Sequence, residues 1–460
     1  MSTAPQMKTP DGARSAPVQV LKTKAELALA DAFPGLEQKL PGGDWLRQLR
    51  RAAIGAFTAE GLPHRRVEEW KFTDLRAAMR EAFPLSDRGT APAPATIQAL
   101  VSQALPGADL SKAFAVLVDG RGAGEAGLGA ISEIEGAFLS RYVDHPLPWL
   151  EAELSDVSQH VGEATLALNT ALFTDGVVID IAEGREIETP IALIFAETGK
   201  APQTSVTRNV VRVGKGAKVT LVECHLQPEG ARQINTVTQI LAGDGAEIVH
   251  VKIAATAEGS IHLGRTIARL GKDTSYRPFH MVTGDGLIRN DLAVTFRGQH
   301  ATFDLGAAQL VRGRGHADLT LVVDHAVPHC TSRELVKSVL SDQARAVFQG
   351  KVIVRPDAQK TDGKQMAQAL MLSPDAEFDS KPELEIYADD VVCGHGSTSA
   401  EIDPELIFYL RSRGIPRHTA QAMLIESFAG EAIDKAEPAE VQDALRTLAQ
   451  QWLAGEAGAA

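Results

Sequence analysis

In ADDVVCGHGSTS, residues 388–399, Cys393 and His395 stand two apart. Extended backbone sends alternate side chains to opposite faces, so this thiol and imidazole share one face of a strand. A thiolate and an imidazole together suit borderline-soft metals such as iron or zinc. Gly394 and Gly396 allow close backbone approach and unusual torsions, which favours a coil edge or subunit contact over a packed strand centre. Taken alone, such a pair is more often a small buried hydrophobe beside a hydrogen-bonded turn residue. Spacing leaves both readings open.

A second cluster, DHAVPHCTSRE at 324–334, holds His325, His329 and Cys330. A four-residue spacing would put both histidines on one helical face, but Pro328 and the surrounding β texture favour a turn whose polar groups bond to backbone. In Glu223-Cys224-His225, alternation points Cys224 away from its polar neighbours, as for a core cysteine. Cys224, Cys330 and Cys393 are the only cysteines. They are widely separated and without a CxxC, so a disulfide framework and a self-sufficient four-thiolate site are both excluded. A bound metal must borrow ligands. GxxxxGK[ST], GxSxG and HExxH do not occur, and GRGAGEAG at 120–127 lacks a βαβ context, so nothing here resembles an independent enzyme.

The elements that position these residues fall into blocks. Residues 1–20 are rich in Pro, Ser, Thr and Gly and read as a flexible tail. Residues 21–175 read as a mainly helical region. It has amphipathic helices at Lys24–Phe33 and Trp45–Phe57, the latter with Trp45, Leu49, Ala53 and Phe57 on one face. A helix around Asp74–Ala82, an APAPA linker at 91–95 and a buried strand within 110–122 follow. From 176 to 400, β-branched runs such as VVIDI, VTLVE and LTLVVD alternate with Gly/Asp turns. Turn-plus-strand pieces begin at 213, 242, 270, 296 and 340, most of them spaced near 27 to 30 residues. Such repetition suits a solenoid, each coil hiding its inner face against its neighbours, and a parallel β-helix is the simplest form.

Residues 401–460 turn helical again. Asp403 is placed as N-cap, Pro404 at the first helical position and Glu405 at the positive helix end, and LIFYLRSR runs to a stop at Gly414. A second helix covers about Thr419–Asp434. A third follows Pro438 with Val441, Leu445, Leu448 and Trp452 on one face, set to pack on the β-helix end or to meet a partner.

The 460 residues, 44% hydrophobic and 23% charged, suit a soluble protein of two or three domains. A formal net charge of -13 argues against a general nucleic-acid or anionic-membrane binder. No apolar run approaches the roughly 20 residues that span a bilayer, and the N-terminus has no apolar h-region, so a cytoplasmic location is expected.

RRVEEWKFTDL at 65–75, ALNTALFTDGVVIDI at 167–181 and KPELEIYADDVVCGHGSTSAEIDPELIFYLRSRGI at 381–415 resemble the SufB/SufD family of iron–sulfur cluster assembly proteins. The likeness runs from about residue 20 to the C-terminus. KPELEIYADDV followed by CGHG is similar to the SufD branch, whereas SufB typically carries more cysteines and a more acidic segment around the equivalent histidine. The resemblance implies a mainly β fold, a right-handed parallel β-helix between helical N- and C-terminal regions. It implies a heterodimer with a SufB-like subunit, a homodimer in isolation, and a SufC-like ABC ATPase docked on the C-terminal helices, with no nucleotide bound by this chain. Iron or a nascent cluster would be held transiently at the SufB interface, His395 serving as ligand and Cys393 as an auxiliary. Phe408, Tyr409, Arg411 and Arg413 would meet the ATPase or pack on the β-helix end. Two other classes stand beside this one. A polysaccharide-acting β-helix enzyme is disfavoured by the 5% aromatic content, since sugar grooves usually stack rings. A cluster protein acting alone would need a complete ligand set of its own.

Overall fold

In the computed structural model, which describes residues 22–459 apart from 88–90, 130, 132–133, 142–147, 159–162 and 227–229, the β-branched runs pair in parallel. Strand Ile261–Leu270 lies between Arg232–Ala242 and Leu287–Phe296 in one sheet. Glu247–Thr256 lies between Lys218–His225 and Ser275–Gly284 in the other. The chain therefore alternates between two sheets, ten-stranded and nine-stranded among the described residues, and winds the expected parallel β-helix between helical terminal regions. The expected tail at 1–20 lies outside the described residues.

Side chains one coil apart meet. Ser338 Oγ donates to Gln309 Oε1 at 2.7 Å, and Gln349 Nε2 to Thr320 Oγ1 at 3.1 Å, each 29 residues apart. The coil length follows from the corners. Gly216, Gly245, Asp273, His300 and His329 occupy successive corners, all with φ between 55° and 69°. The Gly216 N–H donates to Asp244 O at 2.8 Å and the Gly245 N–H to Lys272 O at 2.6 Å, so each left-handed residue ties its coil to the next. This conformation costs glycine least. The turn at 340 does not belong to that series. Asp342, φ 58°, lies at the opposite corner beside Gly313, φ 63°, whose N–H donates to Asp342 Oδ2 at 2.9 Å. Between the sheets sit Val211, Ile240, Leu270, Phe303, Leu321, Phe348 and Val352, all but sealed from solvent.

The helices depart from the expected spans for identifiable reasons. Lys24–Glu37 opens with a capping box, Thr23 and Glu26 each bonding the other's backbone N–H. Asp44–Glu60 buries Leu46, Arg50, Ala53 and Phe57, while Trp45 and Leu49 are half-buried. An arginine takes the place that apolar counting assigns to Leu49. Its guanidinium lies 4.0 Å over the Phe173 ring and donates to Ala171 O at 3.0 Å. The APAPA segment is not all linker, because Pro94 starts the helix Pro94–Ala104, where its missing N–H costs nothing. Strand Phe114–Val118 forms as expected and pairs with Ile191–Ala196.

The helix expected at 74–82 is only Leu75–Ala78, capped by Asp74, because the chain there lies against the nine-stranded sheet. Lys381 pairs with Glu68, Gln349 Nε2 donates to Glu69 O at 3.1 Å, and Arg289 lies 3.9 Å over the Trp70 ring. Thr73 donates to Asp318, Gln233 Nε2 donates to Glu81 O at 2.6 Å, and the Ser86 N–H donates to Thr204 O at 2.9 Å. Residues 68–86 thus form a strap that crosses the sheet from its last strand back toward its first, roughly 30 Å at a strand spacing of about 4.8 Å.

Helices Arg417–Ile433 and Ala439–Ala459 close the flank of the ten-stranded sheet rather than the end of the solenoid. Ile425, Ala429, Ile433, Val441, Leu445 and Trp452 pack with Cys224, Val251, Phe279, Leu310 and Val339. No helix among the described residues is long and apolar enough to cross a membrane.

Candidate functional site

A solenoid must be covered at both ends, since its last coil exposes an inner face and unpaired strand edges. The last two strands, Glu377–Ile386 and Val392–Ala400, each have a partner on one side only. Large apolar groups there face solvent: Ile386 is 42%, Tyr387 60% and Val392 60% exposed.

Cys393 and His395 lie on this terminal strand, on one face as their spacing predicts. Parallel register sets two rows beside them. Ser332, Gly363 and Cys393 align across three successive strands of the sheet, and so do Glu334, Gln365 and His395. Cys393 is half-buried and packs against the inner core, while His395 is exposed. A Cβ on Gly363 would lie 3.4 Å from Ser332 Oγ and 3.7 Å from Cys393 Sγ, so the glycine leaves a hollow beside the thiol. A Cβ on Gly396 would come within 2.7 Å of Met366 Cε, whereas one on Gly394 would meet nothing. The neighbour at Gly396 is thus the flexible end of a methionine rather than backbone, and Gly394 faces the open side. A pocket of about 440 Å³ joins Glu334, Gln365, Cys393, His395, Lys364 and Lys435.

Burial favours the neutral forms of the acidic groups in this pocket. Burial pushes the Cys393 thiol up, the Gly363 backbone opposes that, and the Asp362 and Glu334 carboxyls add to it. Burial pushes Glu334 up to about 8, against the Ser332 hydroxyl, Arg333 and Lys435 and with Asp304. Glu334 makes no well-formed hydrogen bond, the Ser332 hydroxyl standing near its carboxyl, and neither amide atom of Gln365 has a partner, although each residue is only 3% exposed. Each such atom costs about 1–3 kcal/mol. Among the described residues, no three His, Cys, Asp or Glu side chains are gathered in a metal-binding arrangement, so any ion here needs a rearrangement or a donor from another chain.

The residues expected to contact an ATPase lie apart from this pocket. Helix Pro404–Ser412 is capped by Asp403, whose Oδ1 accepts from the Glu405 N–H at 2.8 Å, and it buries none of its residues. Phe408 is 75% and Tyr409 54% exposed, Leu406 and Met423 add to the patch, and Arg413 stacks 5.0 Å from the Tyr409 ring. Arg411 lies in the helix's last turn. These side chains do not pack on the β-helix end.

The second histidine cluster is taken apart by the fold. His325 is buried, lowered to about 4 by burial, and lies 3.2 Å from Ser332 Oγ. Cys330 is buried and donates to Gly298 O at 3.4 Å, while His329 is exposed at a corner and stacks on His300 at 4.9 Å. Cys224 is a core residue, its thiol driven far up by burial.

Sequence reasoning missed a polar knot deep inside the coils. Glu223 Oε1 lies 3.0 Å from Lys252 Nζ and 2.7 Å from His225 Nε2, and its Oε2 accepts from Thr238 Oγ1 at 3.0 Å and from His250 Nε2 at 3.3 Å. Burial would raise this carboxyl, but Lys252 and the imidazole bonds hold it well below the usual range. His262 and His280 are driven well below theirs by burial. The available signal was Glu223 and His225, then His250 and Lys252, at the alternation that also carries Leu221 and Ile248 into the core.

Comparison with known proteins follows the same lines. The family profile described as SUF system FeS cluster assembly, SufBD core domain, matches residues 195–428. The chain is 31% identical over 400 residues to the iron–sulfur cluster assembly protein SufD of Escherichia coli, covering 86% of this chain and 88% of that protein. It is 30% identical over 415 residues to an iron–sulfur cluster assembly SufBD family protein of Synechocystis, covering 86% and 89%. It is 27% identical over 476 residues to the chloroplastic protein ABCI7 of Arabidopsis thaliana, covering 97% and 95%.

Proposed function

Since the chain belongs to the SufB/SufD family of SUF iron–sulfur cluster assembly proteins, with SufD among its relatives, we propose that it is the non-catalytic scaffold of a SufB–SufC–SufD-type complex. Its open solenoid end pairs with a SufB-like subunit, and iron or a nascent cluster is held in the joint. His395 is the ligand from this side and Cys393 an auxiliary thiol. The observation that carries this reading is the placement of both residues on the last, half-paired strand. An exposed imidazole beside a half-buried thiol at an open edge is where a second chain can complete a shell.

Helix Pro404–Ser412 docks a SufC-like ABC ATPase through Phe408, Tyr409, Arg411 and Arg413, and ATP hydrolysis belongs to that partner. A stripe of exposed aromatic and apolar groups on a helix that leans chiefly on its neighbour Arg417–Ile433 is suited to this. Arg417–Ile433 follows directly and grips the ten-stranded sheet, Lys337 Nζ lying 2.5 Å from Glu431 and 4.5 Å from the Phe428 ring. Nucleotide-driven closure of the ATPase would pull on these helices and shift the strands leading to the pocket, through differential affinity for two states of the complex. The complex works in the cytosol, and in isolation a second copy of this chain occupies the open edge.

Replacing His395 with alanine in the complex tests the reading. Co-purification of the partners is expected to persist while iron content falls. Iron loading equal to wild type would sink the ligand assignment.

A further inference from the structure

We propose that Glu334 is a third cargo-binding residue, which with Cys393 and His395 lets the isolated chain hold one divalent transition-metal ion at the open end of the solenoid. This rests on the reading of Cys393 and His395 above and adds the group behind them.

The geometry points to Glu334 in four ways. It faces the same pocket as Cys393 and His395. It stands in the His395 row, two strands back, which at about 4.8 Å per strand leaves roughly 10 Å between backbones. A carboxylate and an imidazole reaching toward each other close that gap on a shared ion. Both carboxylate oxygens are buried without a well-formed hydrogen bond, and so are both amide atoms of Gln365, the residue between them. Together they give that pocket wall four polar atoms with bonding capacity to spare. Finally, Gly350 on the facing sheet lets the Gln365 amide stand close against it, since a Cβ there would collide with the amide oxygen, and Gly363 leaves the hollow between Ser332 and the Cys393 thiol.

The donor set defines the class of ligand. One thiolate, one imidazole and one carboxylate suit a borderline ion such as ferrous iron, or cobalt(II) as its optical analogue, better than magnesium or calcium, which take oxygen alone. Three protein ligands leave an open position for water or for a further donor. A polynuclear cluster needs more thiolates than this chain has at the site, so that stage belongs to the joint with a second chain. Gln365, lying between, carries a donor and an acceptor that would orient Glu334 and His395 once an ion is bound.

The test is anaerobic titration of the metal-free full chain with cobalt(II), followed by its visible absorption and thiolate charge-transfer band, with ferrous iron competing. Wild type is expected to take up about one equivalent. Glu334→Gln and Glu334→Ala should each weaken binding at least about tenfold, keep the charge-transfer band at saturating metal and leave the circular dichroism spectrum unchanged, and Glu334→Asp should restore part of the affinity. Cys393→Ser should abolish the band. Glu334 variants binding as tightly as wild type, while His395→Ala and Cys393→Ser do not, would overturn the role of Glu334 and leave the two-residue site standing. Wild-type affinity in His395→Ala and Cys393→Ser would overturn the reading beneath it. No cobalt uptake by wild type would overturn the proposal outright.

Discussion

Glu223 shows how much of this protein is decided by single buried polar groups. It balances the Lys252 ammonium inside the coils, so removing its charge strands a cation almost wholly buried from solvent. Glu223→Gln is expected to cost about 3–5 kcal/mol in urea denaturation, whereas replacing Glu223 and Lys252 together with apolar residues should cost far less. The same knot sets an acid limit. His262 and His280 are held well below 6.5 in the folded chain, and Glu223 well below 4.5, so the unfolded chain binds more protons as the pH drops. The knot's own share of the stability is therefore full above about pH 6.5 and declines below it, first as the unfolded histidines charge and then as Glu223 protonates, while Glu197 and Glu334, each raised to about 8 by burial, act in the opposite sense. A His262→Gln/His280→Gln variant should therefore lose less stability than wild type between pH 7.5 and 5.5, and an equal loss in the two melts would refute it. At this scale the CxH pair was legible, because two residues on one strand need only local geometry. Glu334 and Gln365 were not. In TSRELVKSVL both faces carry polar and apolar residues, since the outer one is itself covered by helix Arg417–Ile433, and alternation cannot say which phase is inside.

Among the elements, the strap and helix Pro404–Ser412 make opposite demands on their aromatic residues. Trp70 is buried between the strap and the sheet with Arg289 stacked on it, so Trp70→Ala should lower stability by about 3–5 kcal/mol and free residues 68–86 to proteases. Phe408 and Tyr409 stand out in solvent, Tyr409 contacting Arg413 at the end of its own helix. The double alanine variant should melt within about 0.5 kcal/mol of wild type yet lose co-purification of the ATPase, and retained binding would move the docking site elsewhere. The C-terminal helices were readable because Asp403, Pro404 and Gly414 are local stop and start signals. The strap was not, because its conformation comes from Gln233, Thr204 and Asp318, far along the sequence. Its partners, not its own propensities, choose extended backbone over helix beyond Ala78.

At the scale of the whole molecule, the periodic corners made the solenoid legible, and they also explain where the repeat fades. The left-handed positions are glycines at 216 and 245, then Asp273, His300, His329 and Lys360, so the turn signature is lost midway although the geometry continues. That is why the turn at 340, from the other corner, looked like the next member. The unpaired edge remains the molecule's main invitation to assembly. Placing a charge there, as in Val392→Lys, should block strand addition, so that size-exclusion chromatography with the SufB-like partner shows separate chains while the melting temperature hardly moves. Unimpaired association would place the joint on another surface. The strap adds a constraint of a different kind, one of time. Glu68 and its partner Lys381 are 313 residues apart, so on a ribosome making 5–20 residues per second the strap waits on the order of 15–60 s for its final anchor to be synthesised. Until then the Glu68 end of the strap lacks its anchor although Arg289 has already met Trp70, so the nascent chain stays open to proteases at that end after the rest of the strap has docked.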